Sequence, residues 1–121
     1  MGEECQMKKI ALFAFNGESM CFVHVLLNAL DMRSKGYEVR VVIEGAATKL
    51  IPELAASGSA LSQLYQKAKE KGLFEGACKA CSTKMGILDA AKGEGLPLLD
   101  EMSGHPSIAR YLEAGYGVLI F

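Results

Sequence analysis

The 121-residue sequence predicts an α/β fold: a three-layer α/β/α domain around a mostly parallel sheet of about five strands, doubly wound. Three observations predict it. Short apolar, often β-branched runs alternate with longer amphipathic runs along the whole chain. Strands separated by helical crossovers must run parallel and be covered on both faces. Glycines fall just after the amphipathic runs, at Gly36, Gly72 and Gly115, where helices stop. No repeat or low-complexity linker divides the chain, so residues 1–121 read as one domain.

Lys9 to Phe15 is a short apolar run closed by Asn16-Gly17, as a buried strand would be. Ser19 is the expected cap of a helix from Met20 to about Lys35, whose inward face would carry Val23, Leu26, Leu27 and Leu30. Tyr37 to Ile43 is the second strand. Thr48 to Ala56 reads as a short helix, with Pro52 tolerated only near its first turn. Ser59 caps a helix reaching Lys71, with Leu61, Leu64, Tyr65 and Ala68 turned inward. Leu73 to Ala77 is a third, weaker strand, and Ser82 to Ala91 the helix after it. Leu96 to Leu99 is a fourth strand, which Pro97 assigns to an edge. A helix from Ser107 to Ala114 and a strand from Tyr116 to Phe121 complete the pattern.

Composition narrows the function classes. Net charge is −1 and no cluster of Lys and Arg is present, which argues against nucleic acid as a partner. The most apolar stretch, Met20 to Leu30, is interrupted by His24 and Asn28 and is too short to span a membrane. The start, Met1 to Gln6, is acidic where a signal peptide would be basic, so the expected compartment is the cytoplasm. Four cysteines in that reducing setting (Cys5, Cys21, Cys78, Cys81) are not a disulfide scaffold. Hydrophobic residues make up 50% of the chain, and its mean hydropathy is +0.19. Both leave apolar surface for a subunit interface.

In an open parallel sheet, ligands bind beyond the carboxyl ends of the strands. The loops expected there are Asn16 to Ser19, Glu44 to Thr48, Cys78 to Cys81, and Met102 to His105. The candidate catalytic residues are Cys78 and Cys81, and the weaker binding candidates are Asn16, Glu18, Lys84 and His105. A cysteine at a helix start meets unpaired N–H groups, which favour thiolate and bring its pKa to roughly 3.5–7.5. Gly45-Ala46-Ala47-Thr48 lacks the spacing of any nucleotide fingerprint, so no cofactor is expected. On one apolar helix, His24 reads as a hydrogen-bonded core or interface residue and Cys21 as core.

The Cys-x-x-Cys pair has several readings. A structural zinc site needs four ligands, and Cys5, Cys21, His24 and His105 are scattered singly with no second pair, so no metal is expected. A thioredoxin-type dithiol would sit after an early strand and face a proline. Two small buried side chains near a turn are the bland alternative. A sulfur-carrying nucleophile remains.

The segment Cys78 to Gly86, late in a small α/β chain, resembles the DsrE/DsrF-like sulfur-relay family. So do the opening strand and long apolar helix followed by Lys35-Gly36-Tyr37-Glu38-Val39, and the ending Tyr111 to Val118. The resemblance covers nearly the whole chain. It implies a cytoplasmic sulfur carrier or sulfurtransferase that takes sulfane sulfur as a cysteine persulfide and hands it on. It also implies donor and acceptor proteins as partners, and assembly into trimers or hexamers. Relay members place the acceptor eight residues before a glycine, as Cys78 stands to Gly86; other branches place a cysteine five before it, as Cys81 stands. Cys78 is thus the expected acceptor and Cys81 the resolving thiol. Met85 departs from the family, where an arginine often precedes the glycine. A non-catalytic binding or assembly subunit on the same fold is the alternative function, and a dithiol redox protein the third.

Overall fold

The structure, a computed structural model, describes residues 8–121; Cys5 and the acidic start Met1 to Gln6 lie outside the described residues. Five parallel strands form the sheet: β1 Lys9–Ala14, β2 Glu38–Ile43, β3 Phe74–Cys78, β4 Leu98–Leu99 and β5 Gly117–Ile120, in the order β4-β3-β2-β1-β5. The helices are α1 Ser19–Ser34, α2 Ile51–Ala55, α3 Ala60–Glu70, α4 Lys79–Lys84, α5 Leu88–Gly93 and α6 Ile108–Glu113, with a 3-10 helix at Gly45–Leu50. The predicted α/β class and its parallel five-stranded sheet are as expected.

Strand order explains the layers. From β1 to β4 the chain steps one way across the sheet, and right-handed crossovers then place every connecting helix on one face. The return from β4 to β5 runs the other way, so α6 falls on the opposite face. The cores agree. Leu12, Ala14, Val41 and Ile43 pack with Leu26 of α1, Tyr65 of α3 and Ala91 of α5 on the first face. The alternate residues Ala11, Phe13 and Val42 pack with Tyr111 of α6 on the second. The register Lys9↔Glu38 through Ala14↔Ile43 aligns these two sets across β1 and β2.

Local departures from the sequence reading have physical causes. Ser19 does not cap α1: Glu18 holds the cap position, and Ser19 Oγ instead donates to Glu53 Oε2 at 3.1 Å. The buried face of α1 is Phe22, Val25, Leu26 and Ala29, while Leu27 is exposed. A helix apolar on nearly every side does not declare its inward stripe. For the same reason Cys21 is half-buried rather than core, and His24 is exposed, which removes the core half of its reading. The helix expected from Thr48 to Ala56 is the 3-10 helix running into α2, with Pro52 in the first turn of α2. Ser59 does cap α3, exchanging hydrogen bonds with Ser62 in a capping box.

The helix expected from Ser82 to Ala91 is two helices. Gly86, at φ +73°, turns the chain between them; its N–H donates to Thr83 O at 3.1 Å and that of Ile87 to Ser82 O at 3.0 Å. These are the paired bonds of a Schellman stop.

Tyr65, with no exposed surface, donates its hydroxyl to Glu94 Oε1 at 2.8 Å, and Lys69 Nζ donates to the same oxygen at 3.0 Å. Burial pushes the Glu94 carboxyl up, but the bonds from Tyr65 and Lys69 outweigh it and hold the group below its ordinary value. That stabilisation is complete above the unfolded carboxylate range (about 4.3) and is lost as pH falls through the lower folded value. Glu94→Gln should therefore cost about 1–2 kcal/mol at pH 7. Urea unfolding of variant and parent should converge as pH drops below about 4; a gap independent of pH would show that the carboxylate charge contributes nothing.

Candidate functional site

The thiols sit where β3 hands over to α4. Cys78 ends the strand and caps the helix: its Sγ accepts from the Cys81 N–H at 3.4 Å. This cap starts the helix at Lys79 and places Cys81 inside its first turn. The two residues between them let the turn fold Cys81 back toward Cys78, as a helical spacing of three requires.

The third member comes from the loop between β4 and α6. Met102 and His105 exchange backbone hydrogen bonds (2.8 and 2.9 Å) in an isolated antiparallel bridge. Closing so tight a turn puts Ser103 at φ +49° and Gly104 at φ +90°. Ala80 N–H then donates to Gly104 O at 2.8 Å, tying this turn to the first turn of α4. A Cβ on Gly104 would lie 3.1 Å from Ala80 Cβ, so the close approach depends on glycine. The result brings His105 Nδ1 within 3.2 Å of Cys78 Sγ and 3.8 Å of Cys81 Sγ. One sulfur from each cysteine and one imidazole nitrogen all lie within 4.8 Å of one another.

The two thiols differ in environment. Cys78 has no exposed surface, whereas Cys81 is half-buried. Burial pushes the Cys78 thiol up to about 12, against the Cys81 N–H, which lowers it; the Cys81 side chain and the Glu44 carboxylate push it further up. The expectation of an acidified helix-start thiol therefore fails at Cys78. One N–H from a six-residue helix does not outweigh the loss of water. The Cys78 S–H has an acceptor in Gly104 O at 3.6 Å.

Of the weaker candidates, His105 joins the thiols. Lys84 is exposed on α4 and lines a groove of about 490 Å3 with Lys79, Ala80, Thr83, Asp100 and Gly104. Asn16 and Glu18 are exposed on the β1–α1 loop, where Asn16 Oδ1 accepts the Glu18 N–H at 2.8 Å. Their strand is separated from β3 by β2, so sharing a sheet edge does not bring them to the sulfur.

Glu44, at the end of β2, was absent from the candidates. Burial pushes its carboxyl up and His105 draws it down, so it belongs to the same electrostatic neighbourhood. Its position at the start of the loop expected at this edge after the second strand, Glu44 to Thr48, was the available signal. Thr48, fully buried, donates to Gly45 O at 2.9 Å and lies 3.4 Å from Cys81 O. It anchors the 3-10 helix beneath α4. Ser82 is buried too, and its Oγ finds no hydrogen-bond partner among the described residues.

No family model matches the chain. It is 30% identical over 97 residues to the uncharacterized protein MJ0733 of Methanocaldococcus jannaschii, a match covering 80% of this chain and 77% of that protein. An uncharacterized protein of Archaeoglobus fulgidus is 42% identical over 59 residues, 49% of this chain and 95% of its own. A second from the same organism is 57% identical over 37 residues, 31% of this chain and 100% of its own.

Proposed function

The chain belongs to the family of the Methanocaldococcus jannaschii protein, and for this member we propose the role of a DsrE-like sulfur carrier that accepts sulfane sulfur on Cys81. The observation that carries the proposal is the pairing of a reachable thiol with a sealed one beside a single imidazole. A donor persulfide can approach Cys81 but not Cys78. The Cys81 thiolate attacks the outer sulfur of the donor R–S–SH. The donor S–S bond breaks, a Cys81 Sγ–S bond forms, and R–S⁻ leaves with the electron pair. Transfer onward repeats the exchange, with Cys81 as the leaving thiolate.

Cys78 takes the second role. Attack of its sulfur on the Cys81 sulfur would expel HS⁻ and leave a Cys78–Cys81 disulfide, discharging the carrier. The burial of Cys78 and its contacts with Gly104 O and His105 oppose that reaction and favour a persulfide that survives until a partner arrives. This exchanges the two roles that the family spacing implied. Among the described residues no helix is long and apolar enough to cross a membrane; the setting proposed here is the cytoplasm, where both thiols stay reduced. We further propose a homo-oligomer, trimer or hexamer, joined through the apolar side chains that α6 and β5 leave exposed at Leu112, Leu119 and Ile120.

Mass spectrometry after incubation of reduced protein with polysulfide tests the proposal. The parent should gain sulfur on the peptide holding Cys78 and Cys81. Cys81→Ser should abolish the gain, and Cys78→Ser should keep it with a lifetime no shorter than the parent's. Loss of two protons without added sulfur would replace a carrier by a dithiol redox protein. No change at all would leave a binding or assembly subunit.

A further inference from the structure

We propose that Cys78, Cys81 and His105 form a three-ligand site for a thiolate-seeking d10 cation, with zinc(II) as its representative. This inference does not rest on sulfur transfer. It reverses the sequence argument against a metal, which looked for a second Cys-x-x-Cys pair and found scattered single residues. Folding brings one of those single residues, His105, to the pair.

The spacing of the donor atoms fits an ion. A tetrahedral zinc with bonds of about 2.3 Å to sulfur and 2.0–2.1 Å to nitrogen holds sulfur and nitrogen roughly 3.5 Å apart, and two sulfurs roughly 3.8 Å apart. Here the sulfur–nitrogen distances are 3.2 and 3.8 Å, and all three donor atoms fall within 4.8 Å. Binding needs shifts of about an ångström or less in the sulfur–sulfur separation, not a rebuilt loop.

The support around the donors has the character of a metal site. The Cys81 N–H already points at Cys78 Sγ, the kind of bond that stabilises a coordinated thiolate. The Ala80 N–H to Gly104 O bond locks the two ligand-bearing turns together. The left-handed backbone of Ser103, costly for a residue with a side chain, persists because the bridge between Met102 and His105 demands it. Two sulfurs and an imidazole select zinc or copper(I) over magnesium or calcium, which take oxygen.

Among the described residues no fourth His, Cys, Asp or Glu atom joins the group. Structural zinc sites close all four positions, whereas three protein ligands leave one for water or an incoming thiolate. The site is thus built for exchange. Binding balances as one divalent ion taken up and two thiol protons released to solvent. A bound ion also occupies the lone pair on Cys81 that sulfur uptake would use.

The test is titration of the reduced, full-length protein with cobalt(II), then zinc competed against a chromophoric chelator. One equivalent of cobalt per chain should produce the intense visible bands of tetrahedral thiolate coordination, and zinc should erase them. His105→Asn and Cys81→Ser should each weaken zinc binding on the order of 100-fold or more, beyond the loss from a supporting residue. Cys21→Ser should leave it unchanged. His105→Asn keeps both thiols, so it remains informative if a cysteine variant fails to fold. Absence of the cobalt bands, or zinc affinity unchanged in His105→Asn, would overturn the proposal. The readout uses no sulfur donor, so a protein that fails to load sulfur can still pass, and the reverse.

Discussion

Gly76→Ala should be the most damaging small substitution in this protein, lowering stability by about 3–5 kcal/mol. Gly76 sits at the bulge in β3, where the register with β2 jumps from Val41↔Phe74 to Val42↔Gly76. Its φ is +156°, and a Cβ there would lie 2.3 Å from Pro97 O and 3.0 Å from Leu99 Cγ. The first obstacle is backbone and cannot rotate away. Ala77 N–H donates to that same Pro97 O at 2.9 Å, so the methyl group would push apart the bond that holds β4 to β3. β4 is two residues long and has no other strand partner among the described residues. Losing it frees the loop that carries His105, so the cost should reach the site as well as the fold.

Urea unfolding measures this directly, with Gly93→Ala as the comparison. Gly93 ends α5 and does not require a positive φ, and among the described residues no atom beyond its own helix backbone and chain neighbours lies within 4 Å of where a Cβ would stand. Alanine there should raise stability by about 0.5–1 kcal/mol through helix propensity. Equal midpoints for the two variants would show that β3 and β4 do not approach as closely as described.

This position also shows why some of the architecture was legible in the sequence and some was not. The alternation of apolar runs with helical runs carries the strand count, the parallel sheet and the edge strand marked by Pro97, because those follow from local pattern and crossover length. The meeting of Cys78, Cys81 and His105 was legible for a topological reason: all three follow strands at one edge. Asn16 and Glu18 met the same criterion and stand apart, since an edge is several strands wide and strand order is not written in local pattern. The bulge at Gly76 was invisible because it depends on how near β4 comes. The stop at Gly86 had its signal in plain view, a glycine inside a helical run, yet the glycine read as a marker of family spacing rather than as a backbone conformation. The burial of Cys78 is the most consequential miss. Helix-start electrostatics can be read from residue order, but desolvation depends on what the rest of the fold stacks over the sulfur.

Phe13→Ala should cost about 3–5 kcal/mol, the upper range for truncating a core side chain. Phe13 has no exposed surface and faces α6, with its ring edge-on to Tyr111 at 5.4 Å and 88°; Tyr111 meets Tyr116 in the same manner at 5.8 Å and 84°. The second face of the sheet is covered by this six-residue helix, and its buried set is Ala11, Phe13, Val42, Leu99 and Tyr111. Tyr111 is the one other large side chain in this buried set, and its hydroxyl is held by Arg110 at 2.6 Å, so it does not slide into the space and the cavity term should stay near its maximum. Leu12, one residue earlier, faces the larger core shared by α1, α3 and α5, where relaxation is easier and Leu12→Ala should cost less. With a urea dependence of about 1–3 kcal/mol per molar, Phe13→Ala should lower the unfolding midpoint by roughly 2 M. Amide hydrogen exchange should localise the weakening to α6 and β5. Because the turn holding His105 leads directly into α6, Phe13→Ala should also weaken zinc binding with every ligand still present. A midpoint shift smaller than that of Leu12→Ala would mean that α6 is held by its charged contacts, Arg110 to Glu101 at 3.1 Å and to Glu75 at 3.7 Å, rather than by this aromatic stack.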